Sequence, residues 1–462
     1  MTEPGDGIVI GAGTRVLILG VGVAGRSAAE VTEELGGVAI TVDANGAADH
    51  RDVSEVDLGS IDVVMSSPGF PPHSPAVRAC EAAGLPIWSE MEFAWRVRRP
   101  GIPWVLVTGT NGKTTTTQMV GAIAAAGGLD VRVCGNMGIP VIHAARERSD
   151  LVAVEIASLQ LHFAHTISPH AAVCLNADDD HTDWHGSLDA YRADKARVYR
   201  HVQVACVYPA ADRRVERMVE EADVVEGARA IGVSLGAPGP SQLGIVEGLL
   251  VDRAFVENRH REAAELGEVA DLAHLVAGDV PPYLATNALA AAALCRAVGV
   301  SAAAVRDGLR GFTLDHHRTA WVRDVDGVAY VDDSKATNAH AVEAAFGGRA
   351  AASVVWIAGG LAKGQTFDAL IEAIAPKVRA AVVIGVEQEP MLGPLATHAP
   401  DIPVVPIPPG EDVMGRAVAA ARGLAQDGDT VLLSPACASM DQFRSYADRG
   451  EAFTAAVEAL DR

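Results

Sequence analysis

Trp104-Val-Leu-Val-Thr108 runs directly into Gly109-Thr-Asn-Gly-Lys-Thr-Thr-Thr-Thr117. An apolar run of strand composition meets a turn with two glycines, and Lys113-Thr114 then open a helical stretch. This is the order of a nucleoside-triphosphate loop. Backbone N–H groups of such a turn and the following helix N-terminus cradle phosphate oxygens. The lysine ammonium reaches the outer phosphates, and the threonine hydroxyl supports Mg²⁺. The spacing departs from GxxxxGK[ST]: Gly109 lies four residues before Lys113, and Val107 stands where the common pattern has its first glycine. A tight strand–helix turn with an accidental lysine is the plainer alternative. The full order of strand, glycines, Lys-Thr and helix favours phosphate binding, and with it a protein that handles ATP.

Outward from this loop, the chain of 462 residues is too long for one core. Hydrophobic residues make up 49% and aromatic residues only 5%, a balance that suits layered α/β domains with small side chains between helix and sheet. The formal charge of −22 argues against a general nucleic-acid or anionic-membrane binder, because its field repels phosphate polymers. Six scattered cysteines with no CxxC pair suit reduced thiols. The first ten residues lack a basic segment followed by an apolar one, and no apolar run approaches membrane-spanning length. The expectation is a soluble cytoplasmic protein with no nucleic-acid or membrane partner.

Before the loop, Arg15-Val-Leu-Ile-Leu19 leads into Gly20-Val-Gly22-Val-Ala-Gly25, and Asp43 closes the next strand. That is the dinucleotide fingerprint, with the aspartate placed to accept from a ribose hydroxyl. It fits an NAD-dependent oxidoreductase, a UDP group on the same scaffold, or glycines needed only for helix–strand packing. A dehydrogenase has no need of the triphosphate loop.

After the loop, strands are expected at Leu151–Ile156 and Ala171–Leu175, and a helix around Tyr191–His201. Glu155 ends its strand, where open α/β sheets deliver ligands. NADDDHTDWH (176–185) gathers Asp178, Asp179, Asp180, His181 and Asp183. Alone this reads as a solvated acidic loop; beside a triphosphate loop it reads as a Mg²⁺ and substrate site, with Glu155 and His181 the best-placed ligands. Lys195, in a polar–apolar helical run, reads by itself as a surface lysine. An alanine-rich helix is expected at 284–298, and 235–282 reads as irregular or short-stranded. In the last third, Val328–Val331, Ser353–Ala358, Ala381–Gly385 and Thr430–Leu433 read as strands. Lys335, Lys363, Ser434, Ser439 and Asp441 lie just beyond strand ends, cations and hydroxyls suited to a carboxylate-bearing ligand. Each is equally an ordinary capped turn.

Ten segments then fall in order: GTNGKTT, GNMGIP (135–140), EIASLQL (155–161), DDH (179–181), YRADKAR (191–197), TNAL (286–289), HHR (316–318), DDSKATN (332–338), GGLAKG (359–364) and SPACASMDQF (434–443). Together they resemble the Mur ligase family across nearly the whole chain, and DSKATN and SPACASMDQF are similar to its D-glutamate-adding members. The resemblance implies an α/β chain of three domains. Residues 1–100 would form a Rossmann-like UDP-sugar domain, 101–312 a P-loop ATPase-like domain with a mostly parallel sheet, and 313–462 a Rossmann-like amino-acid domain.

The resemblance also implies site residues. ATP would be held by Gly109, Thr110, Asn111, Gly112, Lys113, Thr114, Thr115, Asn287, Arg318 and Asp333. Two Mg²⁺ ions would take ligands from Thr114, Glu155, His181 and a carbamylated Lys195. Lys113, Glu155, His181 and Lys195 would serve the chemistry. Gly22, Asp43, Ser67, Pro68, Gly69, Asn136 and Gln160 would face the UDP-sugar, and Lys335, Thr337, Lys363, Ser439 and Tyr446 the D-glutamate. The implied partners are UDP-N-acetylmuramoyl-L-alanine and D-glutamate, on a monomer. Three departures stand out: Tyr283-Leu284 replaces a His-Asn pair, Ala157 a serine, and Ala44-Asn45 a Thr-Arg pair. A sister ligase adding another amino acid would keep the first two blocks and differ in DDSKATN.

Overall fold

The structure is a computed structural model that describes residues 7–460 apart from 45–46, 137–138, 180–181, 277–278, 315–316, 348 and 363. Among the described residues the strands form three sheets. The first has β1 (Arg15–Leu19), β2 (Val38–Val42), β3 (Val63–Ser66) and β4 (Ile87–Ser89), in the order β2-β1-β3-β4 and all parallel. β1 and β3 are buried along nearly their whole length, which is why both read as continuous apolar runs.

The second sheet contains β5 (Trp104–Thr108), β6 (Val131–Gly135), β7 (Leu151–Glu155), β8 (Ala171–Cys174), β9 (Ala205–Pro209) and β10 (Arg229–Val233). It continues with β11 (Gln242–Val246), β12 (Leu249–Asp252) and β13 (Ala264–Glu268). Its order is β13-β12-β11-β10-β9-β8-β5-β7-β6, so β5 lies between β8 and β7 in the parallel part. The ends of all three therefore open on one edge, where a crossover sheet places its ligands. The stretch expected to be irregular or short-stranded supplies β11, β12 and β13, an antiparallel extension. Glu247 and Gly248 make the β11–β12 turn, both at positive φ (50° and 84°), the conformation that a two-residue hairpin loop requires.

One apolar core runs beneath both sheets, from Val16, Val63 and Trp88 to Trp104, Val154 and Cys174. Trp95 and Trp104 meet edge to face at 5.3 Å within it. Correspondingly, the chain divides into two compact units, Met1–Leu272 with Pro282–Phe312, and Ala273–Pro281 with Thr313–Arg462.

The second unit holds the third sheet: β14 (Ala320–Val325), β15 (Val328–Asp332), β16 (Val354–Gly359), β17 (Val378–Ile384), β18 (Val404–Pro406) and β19 (Thr430–Leu433). Its order is β14-β15-β19-β16-β17-β18, parallel except for the β14–β15 hairpin. Separate apolar clusters cover its two faces, one around Trp356 and Phe367, the other around Tyr330 and Phe453. The α/β class with mostly parallel sheets is the one expected from the sequence. No helix among the described residues is long and apolar enough to cross a membrane.

Candidate active site

The phosphate loop joins β5 to the helix Lys113–Ala126. Gly112 caps that helix with φ +82°, and a Cβ there would come within 2.7 Å of Asn287 Oδ1. Glycine is thus needed twice, for its left-handed backbone and for the close approach of the Asn287 amide. Loop residues are pinned by the end of β8: Asn111 N–H donates to Asn176 Oδ1 (2.9 Å), and Asn176 Nδ2 donates to the Asn111 carbonyl (3.2 Å). Thr110 Oγ1 donates to the Asp178 carbonyl (3.0 Å) and lies 2.8 Å from the Tyr191 hydroxyl. Lys113 Nζ folds back onto the Gly109 and Thr110 carbonyls, each at 2.8 Å. Thr114 and Thr115 are buried just behind it.

Glu155 ends β7 on the neighbouring strand and is 2% exposed. Its Oε1 accepts from Asn136 Nδ2 (3.2 Å), while Oε2 has no hydrogen-bond partner among the described residues. A buried carboxylate oxygen without a donor is costly, and a cation at that point removes the cost. The loop amides, the ammonium and this oxygen are the donor set that a nucleotide with Mg²⁺ needs, so the residues present fit the pair.

Lys195 belongs to the helix Leu188–Ala196 and is 2% exposed, its Nζ 4.8 Å from the centre of the Tyr191 ring. The surface reading from helical periodicity is thereby overturned. His181 and Asp180 lie outside the described residues, as does the side chain of Asp183. Asp178 and Asp179 are ion-paired, with Arg214 (2.9 Å) and Arg192 (3.3 Å). A cleft of about 540 Å³ bordered by Arg192, Arg197, Arg214 and Met218 shares no lining residue with the phosphate loop, and those three arginines are already paired.

On the first sheet, Asp43 Oδ2 accepts from the Val21 N–H (3.0 Å) within the glycine turn. A Cβ on Gly25 would lie 1.8 Å from the Gly20 carbonyl oxygen, so Gly25 is required for packing. A Cβ on Gly22 or Gly69 meets nothing within 4 Å, which leaves the turn open. Ser67 Oγ donates to the Gly20 carbonyl (3.4 Å), and the Pro68 carbonyl accepts from Trp184 Nε1 (2.9 Å). Gln160 is used internally: Oε1 accepts from Ala157 N–H (2.9 Å), and Nε2 donates to Glu90 Oε2 (3.4 Å). Burial pushes the Glu90 carboxyl up to about 7, against the smaller pull of Gln160 and a backbone N–H.

In the second unit, Asp333 follows β15. Its Oδ2 accepts from Ser434 Oγ (2.7 Å) and its Oδ1 from Thr319 N–H (3.1 Å). Burial raises it to about 7; those bonds and the charge of Arg318 offset only part of the shift. Lys335 Nζ stacks 3.7 Å over the Tyr446 ring, at the start of the helix Tyr446–Glu458. Ser439 is buried close to the β19 end, and the Thr337 carbonyl accepts from Gln365 Nε2 (3.5 Å). Lys363 lies outside the described residues.

Sequence reasoning missed Arg449, which is fully buried and donates to Ser334 Oγ (3.0 Å), the Ser334 carbonyl (2.8 Å) and the Cys437 carbonyl (3.1 Å). It ties the DDSKATN turn to SPACASMDQF. It also missed His162, His185 and Asp194, whose ligand atoms lie within 4.8 Å of one another. The signal available was slight: His185 and Asp194 lie inside quoted segments and His162 directly follows one, but nothing local links the three.

Two family profiles match, described as the Mur ligase middle domain (residues 107–295) and the Mur ligase, glutamate ligase domain (317–437). A protein of Streptomyces coelicolor called UDP-N-acetylmuramoylalanine–D-glutamate ligase is 50% identical, over 97% of this chain and 98% of its own. Proteins of the same name are 45% identical in Leifsonia xyli (96% of this chain, 92% of that one) and 44% identical in Thermobifida fusca (97% and 99%). Among solved structures, a UDP-N-acetylmuramate-alanine ligase of Thermotoga maritima shares the fold at TM-score 0.57 and 16% identity, covering 96% of this chain and 99% of that one. A MurF ligase of the same organism, solved in complex with ADP, does so at 0.56 and 14% identity, covering 97% and 96%.

Proposed function

The chain belongs to the Mur ligase family, and on that premise we propose that it adds D-glutamate to UDP-N-acetylmuramoyl-L-alanine at the expense of ATP, in peptidoglycan precursor synthesis. The observation that carries this is the phosphate loop that follows β5, together with the buried Glu155 at the end of the adjacent strand β7, whose Oε2 has no hydrogen-bond partner among the described residues. It stands on a chain matched end to end by relatives named for the reaction. A dehydrogenase has no need of the triphosphate loop, and relatives named for ligation match nearly the whole chain.

Joining a carboxylate to an amine in water is uphill, so the carboxylate must first be activated. A carboxylate oxygen of the L-alanine moiety attacks the γ-phosphorus of ATP; the bond to the β,γ-bridging oxygen breaks, ADP leaves and an acyl phosphate forms. The amine nitrogen of D-glutamate attacks the acyl carbon, the C–O bond to phosphate breaks, and the nitrogen gives up its proton. Lys113 leaves its own loop carbonyls for the phosphate oxygens, an exchange of partners that needs no fresh desolvation of the ammonium. The loop N–H groups fix the phosphates for in-line attack. Thr114, Glu155, His181 and carbamylated Lys195 would hold two Mg²⁺ ions, which when bound neutralise phosphate charge and polarise the transferring group.

Carbamylation of Lys195 is supported by the family likeness of YRADKAR and by charge. An ammonium among metal ligands repels the cation and has no lone pair, whereas reaction of the neutral amine with CO₂ gives an anionic oxygen ligand that hard cations favour. Gly22, Asp43, Ser67 and Gly69 would serve the UDP-sugar, and Lys335, Thr337, Lys363, Ser439 and Tyr446 the D-glutamate carboxylates. The protein acts as a cytoplasmic monomer, with residues 1–100, 101–312 and 313–462 receiving sugar nucleotide, ATP and amino acid.

The test is phosphate release with UDP-N-acetylmuramoyl-L-alanine, comparing D-glutamate with L-glutamate, glycine and L-lysine. D-Glutamate alone should support it, and Lys113→Ala should lower the rate on the order of 10²–10³-fold with the fold intact. Turnover with another amino acid would make this a sister ligase. Lys195→Ala should lose most activity and regain part of it with added acetate. A free amine at Lys195 in fully active enzyme would end the carbamate assignment.

A further inference from the structure

Asp194 immediately precedes Lys195 and is 3% exposed. Its Oδ2 accepts from His162 Nδ1 at 2.7 Å and from His185 Nδ1 at 2.8 Å. Its Oδ1 faces Arg197 Nε at 3.2 Å. His185 extends the chain, its Nε2 standing 3.0 Å from Ser158 Oγ. One carboxylate therefore ties together three separate segments of the chain. Ser158 lies three residues after Glu155, His185 four residues after His181, and Asp194 beside Lys195. Each segment carries one residue assigned above to the metal and phosphates.

Aromatic packing closes the same cluster. Trp184 meets the His162 ring at 5.4 Å and the His185 ring at 4.6 Å, and its indole N–H reaches the Pro68 carbonyl. Tyr191 meets His185 at 5.4 Å and joins the phosphate loop through Thr110.

We propose that Asp194, through His162, His185 and Ser158, is a positioning residue that sets the spacing of Glu155 and Lys195. Resting on the ligase reading, it adds a role for groups that touch neither substrate nor metal. Residues that orient metal ligands in this way commonly change metal affinity by about 10–100-fold when altered.

Two other roles fit the cluster less well. A cation held by His162, His185 and Asp194 would sit against the Arg197 guanidinium already paired with that carboxylate, and would have to displace both Nδ1 protons. The order Ser158–His185–Asp194 is that of a nucleophile with its base, but Ser158 is 2% exposed and closed to a substrate carbonyl.

The experiment compares the parent protein with Asp194→Asn and His162→Gln. Mn²⁺ is titrated by electron paramagnetic resonance in the presence of a non-hydrolysable ATP analogue, and carbamate is read by ¹³C NMR after equilibration with ¹³CO₂. Asp194→Asn should bind Mn²⁺ roughly tenfold or more weakly and carry less carbamate, with the KM for D-glutamate unchanged. His162→Gln, which keeps the charge of Asp194, should shift both in the same direction by less, and it serves if the asparagine variant does not fold. Parent-like Mn²⁺ affinity and carbamate in a folded variant would overturn the proposal. So would tightened binding of Zn²⁺ by the parent at this cluster, lost in Asp194→Asn, or a parent that binds no Mn²⁺ with nucleotide. If the parent binds Mn²⁺ but fails to release phosphate with its substrates, the ligase reading fails while the effect of Asp194 on the metal still stands.

Discussion

Asp194 in the first unit and Asp333 in the second are buried almost equally, 3% and 7% exposed, yet their protons behave in opposite ways. For Asp194 burial alone would raise the pKa, but hydrogen bonds from His162 and His185 and the charges of His162 and Arg197 outweigh it and hold the group at about 2. For Asp333 burial again comes first. A hydroxyl and a backbone N–H answer it only in part, the attraction of Arg318 is opposed by Asp332, and the group stays at about 7. Depth does not decide the charge of a buried carboxyl; the kind of donor facing it does. Imidazoles and a guanidinium make a fixed anion fit for holding segments in place. A hydroxyl and an amide leave a proton that an arriving ligand can shift.

The sharpest way to break that contrast is to truncate both. Asp194→Ala strands two histidines and an arginine around an empty centre and should cost roughly 3–5 kcal/mol of stability. Asp333→Ala removes only neutral donors' partner and should cost roughly 1–3 kcal/mol. Thermal unfolding of the two variants side by side checks this, and equal losses would erase the distinction.

Titration sharpens it next. The folded pKa of Asp333 lies above its unfolded value of about 4, so its contribution is fully present below that pH and is lost as pH rises through about 7. Measured against Asp333→Asn, the parent should therefore lose stability between about pH 4 and 7, by at most about 4 kcal/mol for a three-unit shift. A gap that stays constant with pH would show that Asp333 is charged throughout.

A third measurement separates the two regions by task. Lys335→Ala and Ser439→Ala should each raise the KM for D-glutamate by the equivalent of roughly 1.5–3 kcal/mol, with sugar-nucleotide and Mn²⁺–nucleotide binding unchanged. Equal loss of sugar-nucleotide affinity would place these residues elsewhere. The smallest effect belongs to Ser434→Ala, which removes one donor from Asp333 and should cost about 1 kcal/mol while moving the pH-dependent loss of stability upward. A shift toward lower pH would mean that Ser434 accepts rather than donates.

How much of this could be read beforehand follows from the range over which each signal acts. The phosphate loop was legible because strand, turn and helix lie within fourteen residues and each obeys a local rule. The parallel core strands were legible because burial on both faces leaves unbroken apolar runs. The hairpin edges were legible only in part: Val328–Val331 read as a strand but its partner β14 did not, and β11 and β12 fell in a stretch that read only as irregular or short-stranded. Lys195 was misjudged without the family likeness because helical periodicity sees a polar neighbourhood and nothing of what packs over it. Asp194 shows the limit most plainly: its partner His162 is 32 residues away in sequence, and no periodicity links an aspartate to a histidine across that gap. Arg449 is the same case, meeting Ser334 across 115 residues.

The six cysteines, all free and all buried, turn the molecule into its own clock of opening. Burial pushes Cys80 and Cys174 up to about 11 and Cys134, Cys206 and Cys437 to about 12, and Cys295 higher still, so at neutral pH the native thiols are neither ionised nor reachable. Alkylation then proceeds only through transient local unfolding, and its rate at each cysteine reports the free energy of the opening that exposes it. Cys80 reads the first sheet, Cys134, Cys174, Cys206 and Cys295 the second and its covering helix, and Cys437 the loop beside Ser439. A ligand that tightens one region alone would slow one thiol and leave the others running, so the order in which substrates stiffen the chain is recorded in a mass spectrum without any label being engineered in.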